Sequence, residues 1–298
     1  MNYIIGGGIT GLILLELNKD YKLITDQIGG QLKMEVPTGP KILHHSTKVA
    51  QFLKSVGLNP FSYLKTFKVG YLVNGKIIDN LSKNDALFYY QKTRGRSSIP
   101  NSTFLSEGKT MIAGYDMNEL GLVNLLYERN KDRIIHKKVN FIDTDYKTLN
   151  GILQYDKLIS TIDLQLLLKL LIIPVNLEKN LVHYYLVEKT KKDIFDVNPI
   201  LSYVYDIYNL DINRITKVDE NKRIIESNNY TKFDGYKVIK HIPLYTQLRY
   251  ELKLKEIRGI KLVGRFAEYN HAVKANNIIE EYFNERKNMY IWYRWSIK

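Results

Sequence analysis

The feature that most constrains this chain is a glycine run placed directly behind its first strand. Residues 1–5 (MNYII) are short, apolar and β-branched at their end, which predicts a buried strand. They lead without a break into Gly6-Gly7-Gly8-Ile9-Thr10-Gly11. A helical stretch follows over 12–18, then a second strand over 21–25. Strand, G-x-G-x-x-G, helix and strand, closed by an acid, is the order of a dinucleotide-binding unit. Gly6 allows the tight turn, Gly8 lets the backbone approach a pyrophosphate, and Gly11 lets the helix sit against the strand. Ile9 and Thr10 lie between the second and third glycines as further cofactor-binding candidates, and the first N–H groups and positive dipole end of the helix that follows favour an anion. Asp26 ends the second strand, where a carboxylate accepts hydrogen bonds from a ribose. It lies 15 residues after Gly11, closer than the usual acid, about 20 residues on from the motif. A purely structural glycine turn is the competing reading.

The next residues, Gln27-Ile28-Gly29-Gly30-Gln31-Leu32, resemble the acid-x-x-G-G segment of the flavoprotein amine oxidase and protoporphyrinogen oxidase superfamily. The resemblance implies FAD, with Gln27, Gly29, Gly30 and Gln31 against it. A β-turn is the alternative for the glycine pair. Gly39-Pro40-Lys41-Ile42-Leu43-His44-His45 resembles the G-P-H-I-F-H-T segment of UDP-galactopyranose mutases. That places His44 near the flavin, with Lys41 where the mutases carry a histidine. Val139 and the stretch Tyr155–Thr161 are similar to the superfamily's adenine-contacting valine and re-entry strand. Gly264-Arg265-Phe266-Ala267-Glu268-Tyr269 is similar to its closing G-R-x-A-x-Y. The resemblance implies Arg265 along the FAD pyrophosphate and Tyr269 on a substrate diphosphate. Arg214, in an R-I-T after a tyrosine-rich strand, is similar to the substrate-sheet arginine, able to grip an anion in a bidentate way. A buried structural histidine and a surface arginine are the plain alternatives for His44 and Arg214.

Composition narrows the classes. The chain has 298 residues, 45% apolar and 25% charged, which suits a globular protein with a sizeable core. It has no cysteine, which removes disulfides, thiolate metal sites and cysteine nucleophiles. No basic leader precedes the first strand, and no stretch is long and apolar enough to span a bilayer. A cytoplasmic location is the expectation. The net charge of +13 is spread along the chain in short clusters. A solvated basic surface attracting anionic substrates is favoured over a nucleic-acid surface.

Further along, a strand is predicted over 31–36, a helix over 48–56 and a hairpin over 68–78 turning at Asn74-Gly75. A long loop or lid is expected over 94–121, a helix over 118–129 and a strand pair over 133–143. A helix is expected over 164–171, strands over 184–191, 200–208, 214–218 and 236–245, then helices over 246–255 and 276–286. A tail over 289–298 holds both tryptophans, with docking on the core, a second subunit or a membrane surface all open.

The fold expected is α/β: an FAD-binding Rossmann-like domain (1–48, 133–165, 256–288) interleaved with an antiparallel-sheet α+β substrate domain (49–132, 166–255). The leading function is an FAD-dependent oxidoreductase passing hydride from a small molecule to flavin N5, with an anionic or nucleotide-linked substrate and a homodimer both open. The alternatives are a mutase-like sugar-nucleotide isomerase and a degenerate flavin-binding scaffold with a nucleic-acid surface. No metal is expected.

Overall fold

A computed structural model of the chain describes residues 1–34, 36, 41–94, 110–248, 250–270 and 272–284. Its first element, β1 (Asn2–Gly8), is buried between parallel neighbours Lys157–Ser160 and β2 (Tyr21–Gly29). The order continues to Ile260–Leu262 on one side and Ile134–His136 on the other, all parallel. Glu256–Ile257 adds an antiparallel edge. Between β1 and β2 runs α1 (Ile9–Leu17). Every residue from Gly11 to Leu17 is buried, as expected of a helix apolar on nearly every side; its one charge, Glu16, pairs with Lys19 and Arg129.

Two apolar cores cover the faces of this parallel sheet. One joins α1 to the helices Thr47–Ser55 and Leu122–Asn130, through Leu12, Leu15, Phe52 and Leu126. The other packs Leu164–Leu170 and the segment around Tyr269 beneath Tyr3 and Ile5. Helices 47–55 and 122–130 therefore share the core of α1, although the seams expected at 48 and 132 assign them to the other domain. Conversely, the strand Ile42–His44 belongs to the second sheet.

That second sheet has nine strands among the described residues. Tyr236–Leu248 forms one edge, followed by Lys179–Lys189, Lys222–Ser227, Ile212–Lys217 and Leu201–Asp206, all antiparallel. Leu201–Asp206 then pairs in parallel with Lys65–Val73, and Met111–Asp116 and Ile42–His44 complete the sheet. Lys76–Ile78 closes the hairpin expected at Asn74-Gly75.

Several local expectations give way to tertiary pairing. The second strand continues past residue 25 to Gly29, so Asp26 lies within it rather than at its end. A 3-10 turn (Gly30–Lys33) replaces the strand expected over 31–36. Among the described residues the helix expected over 246–255 does not form: the strand runs on to Leu248, because Gln247 and Leu248 pair with Asn180 and Lys179. A helix, Lys83–Arg94, and a strand, Lys222–Ser227, appear where none was anticipated. Gly39, Pro40, most of the expected lid and the tail lie outside the described residues. Among those described, no helix is long and apolar enough to cross a membrane.

Arg223 holds the unanticipated strand in place. It is 1% exposed, and its Nε and Nη2 donate to the two oxygens of Asp193 at 2.7 and 3.2 Å. Its Nη1 donates to the carbonyls of Asp219 and Lys222. Removing one partner of a buried ion pair strands the other charge. Arg223→Met is expected to cost about 3–5 kcal/mol, read as a lower midpoint in urea unfolding.

Candidate functional site

The site begins at the glycine turn. Gly6 adopts φ +109°, and a Cβ on Gly11 would lie 1.9 Å from the Gly6 carbonyl oxygen. Only glycine permits that approach of helix to strand. Two threonines fix the turn. Thr161 Oγ1 lies 3.0 and 3.1 Å from the carbonyls of Ile5 and Gly6, to which it donates. Thr25 Oγ1 accepts the Gly7 N–H at 3.1 Å and donates to the Gln27 carbonyl at 2.6 Å.

Thr25 marks an irregularity in β2. Ile5 pairs with Ile24, but Gly7 pairs with Ile28, so β2 bulges between them. The bulge carries Asp26 and Gln27, both exposed, onto the wall of a cleft. The short spacing of Asp26 in sequence comes from the connection before β2: α1 ends at Leu17 and β2 starts at Tyr21.

The cleft has a volume of about 830 Å³, within the usual span for cofactor and small-molecule sites, about 300–1,000 Å³. It runs from the parallel sheet to the second sheet. Along it lie Gly6, Gly8, Ile9, Thr10, Asp26, Gln27, Gly29, Gly30, Gln31, Val139, Thr161, Gly264 and Arg265. Gly11 is behind the turn and does not line it. A Cβ built on Gly8 would meet nothing within 4 Å, so the backbone there faces open cleft. Gly30 comes up beside it, its notional Cβ 3.4 Å from the Gly8 Cα. Bare backbone at a helix start, opening into an elongated cleft, suits a pyrophosphate. Residues 137–140 also line the cleft.

At the other end the second sheet forms the floor. Lys41 is buried, and its Nζ donates to the carbonyls of Gln31 and Leu32 at 3.2 and 3.0 Å. It thereby pins the turn behind the glycine pair. Burial holds the Lys41 ammonium below its usual range, with Asp116 opposing. His44 lines the cleft from the neighbouring strand.

Arg214 also reaches the cleft, but not as an isolated cation. Tyr205 pairs with Arg214, Arg214 with Glu226, and Glu226 with Tyr184, in one row across adjacent strands. All of them line the cleft. Arg214 Nε donates to Glu226 Oε1 at 2.9 Å, and Nη2 donates to the same oxygen. Burial pushes the Glu226 carboxyl up against the pull of Arg214. Burial is the largest single influence on Arg214 and works against its charge, but Glu226, Tyr205 and Tyr89 together outweigh it and hold the guanidinium well above its usual range. The Arg214 guanidinium lies 5.8 and 5.7 Å from the rings of Tyr203 and Tyr205. Tyr89 meets Tyr205 edge-on at 5.4 Å. Tyr184 is buried, its hydroxyl 2.9 Å from Thr246 Oγ1.

Tyr269 is not part of this site. It is fully buried at φ +50°, outside the cleft lining, and its hydroxyl donates to the Glu178 carbonyl. The motif match is local, whereas the direction of the side chain is set by the core around it. The isomerase expectation loses the tyrosine it rested on. Glu226, Tyr184, Tyr203, Tyr205, Tyr89 and Thr25 were not singled out from sequence. The alternation of LSYVYD already places Tyr203 and Tyr205 on one face; Glu226 carries no such local signal.

Neither a protein-family model nor a curated protein matches the sequence. Solved structures do match the fold. An oxidoreductase from Methanosarcina mazei superposes with TM-score 0.61 at 12% identity, over 96% of this chain and 99% of that one. A fatty acid isomerase from P. acnes, described as producing CLA, gives 0.62 at 10%, over 96% and 98%. A putrescine oxidase variant gives 0.58 at 9%, over 97% and 98%. The chain thus has the α/β architecture expected, a Rossmann-like parallel sheet joined to a mainly antiparallel one.

Thr25→Val keeps the shape of the side chain but leaves the buried Gly7 N–H without an acceptor. The cost is expected at about 1–3 kcal/mol, measured by thermal unfolding; no change in Tm would mean that the hydroxyl does not hold the turn.

Proposed function

We propose that the chain is an FAD-dependent oxidoreductase that removes hydride from a small-molecule substrate. One observation carries the reading. A single cleft joins the glycine turn, the glycine pair and Gly264-Arg265 to the tyrosine-lined sheet. An extended dinucleotide has a place for each part along it. The N–H groups at the start of α1 and the Arg265 side chain bind the pyrophosphate. Asp26 accepts from the adenosine ribose, and the backbone at Val139 borders the adenine. Lys41 and His44 lie toward the ring end.

When bound, the flavin supplies the hydride acceptor. The residues of this chain orient the reactants and exclude water. Lys41, positively charged and buried, favours negative charge accumulating near it. The tyrosine floor presents the substrate to the ring. An oxidoreductase and a putrescine oxidase among the structural neighbours support redox use of this fold, and a fatty acid isomerase shares it with a different reaction.

The protein is expected to purify yellow and to release FAD on denaturation. In Gly8→Leu the new Cβ meets no atom within 4 Å, and the side chain adds bulk to the cleft. The variant should therefore fold normally by circular dichroism while FAD affinity falls at least ~100-fold, about 2.7 kcal/mol. A colourless wild-type protein that binds no added FAD would overturn the reading.

A further inference from the structure

The ion pair on the cleft floor leaves one hydrogen-bonding edge unused on each partner. Arg214 gives both Nε and Nη2 to a single oxygen, Glu226 Oε1. Among the described residues, Arg214 Nη1 has no acceptor and Glu226 Oε2 has no donor. Both residues line the cleft. A pair of free N–H donors thus sits beside a free acceptor oxygen.

The pair also closes its own charge. A carboxylate arriving from solvent finds Arg214 already neutralised, and an ammonium finds Glu226 already neutralised. Either would have to draw one partner away and leave the other as an uncompensated buried charge, which is strongly unfavourable. A neutral group meets no such penalty if it accepts from Nη1 and donates to Oε2. A hydroxyl does both through one oxygen. A ligand that satisfies both edges removes two unfilled hydrogen-bonding positions, and one that lacks the hydroxyl leaves them unfilled.

The surroundings define what carries that hydroxyl. The rings of Tyr203 and Tyr205 flank the guanidinium at 5.8 and 5.7 Å, and Tyr89 stands edge-on to Tyr205. Flat aromatic walls favour a flat, polarisable body, packed offset or edge-to-face.

We propose that the tyrosine end of the cleft takes a neutral, planar, unsaturated ring bearing a hydroxyl, which accepts from Arg214 Nη1 and donates to Glu226 Oε2. This differs from the anionic substrate that an unpaired arginine would suggest. It rests on the reading above that this end of the cleft is the substrate end, yet it concerns binding and needs no turnover.

The test is calorimetric titration of the purified protein at neutral pH with 2-naphthol, 2-naphthoate, 2-naphthylmethylamine and naphthalene. The four share a ring system and differ in the head group. The proposal predicts 2-naphthol binding at least ~10-fold tighter than the other three. Glu226→Gln keeps the volume and frees the Arg214 charge, so the order should reverse in favour of 2-naphthoate by ~10-fold. Wild-type protein that prefers the acid or the amine, or binds all four alike or none, overturns the proposal, whether or not the variant folds. So does a folded variant that keeps the 2-naphthol preference. The visible spectrum of the same sample reports flavin separately. A colourless protein with the predicted ranking would sink the flavin reading and sustain this one.

Discussion

The approach of Gly11 to the Gly6 carbonyl is the contact on which the molecule turns. With a notional Cβ only 1.9 Å from that oxygen, nothing larger than glycine lets α1 start where it does. That start sets how α1 lies on the sheet, and α1 is buried from Gly11 onward between the helices Thr47–Ser55 and Leu122–Asn130. It also decides where the free N–H groups of the helix point. Thr161 and Thr25 then bind the turn to the strands on either side of β1. The mouth of the cleft is therefore a consequence of backbone packing, not of any charged side chain.

The opposite end follows a different logic. There the sheet supplies side chains, and strand register brings them together. Arg214 and Glu226 come from neighbouring strands and meet only because the ladder pairs them. Arg223, on the strand that carries Glu226, secures that strand from the other face through Asp193. One end thus offers unpaired backbone donors to an anion, and the other offers a self-compensated ion pair among aromatic rings. A ligand with a charged diphosphate middle and a flat uncharged head suits that gradient.

How much of this was legible in the sequence follows the distance over which each signal acts. The glycine turn, the glycine pair and the Asn74-Gly75 hairpin are encoded within a few residues, and each occurs where expected. The stretch after Thr246 shows the limit: its pattern suggests a helix, yet pairing with Lys179 and Asn180 keeps Gln247 and Leu248 extended. Tyr269 sits in a good motif match, but its side chain follows the core to the Glu178 carbonyl. Asp26 follows the motif closely because only a short connection separates the end of α1 at Leu17 from the start of β2 at Tyr21. Glu226 was invisible because its significance is its partner, 12 residues away along the chain and adjacent across the sheet.

The central claim is the polarity of the cleft: adenine at residues 137–140, reactive ring at the tyrosine floor. Photolabelling with FAD bearing an azide on adenine, followed by peptide mapping, tests it most directly. The label is predicted on the segment around Lys137–Asn140 or on Asp26-Gln27. Label on Tyr89, Tyr203 or Tyr205, or no label that unmodified FAD competes away, would contradict it.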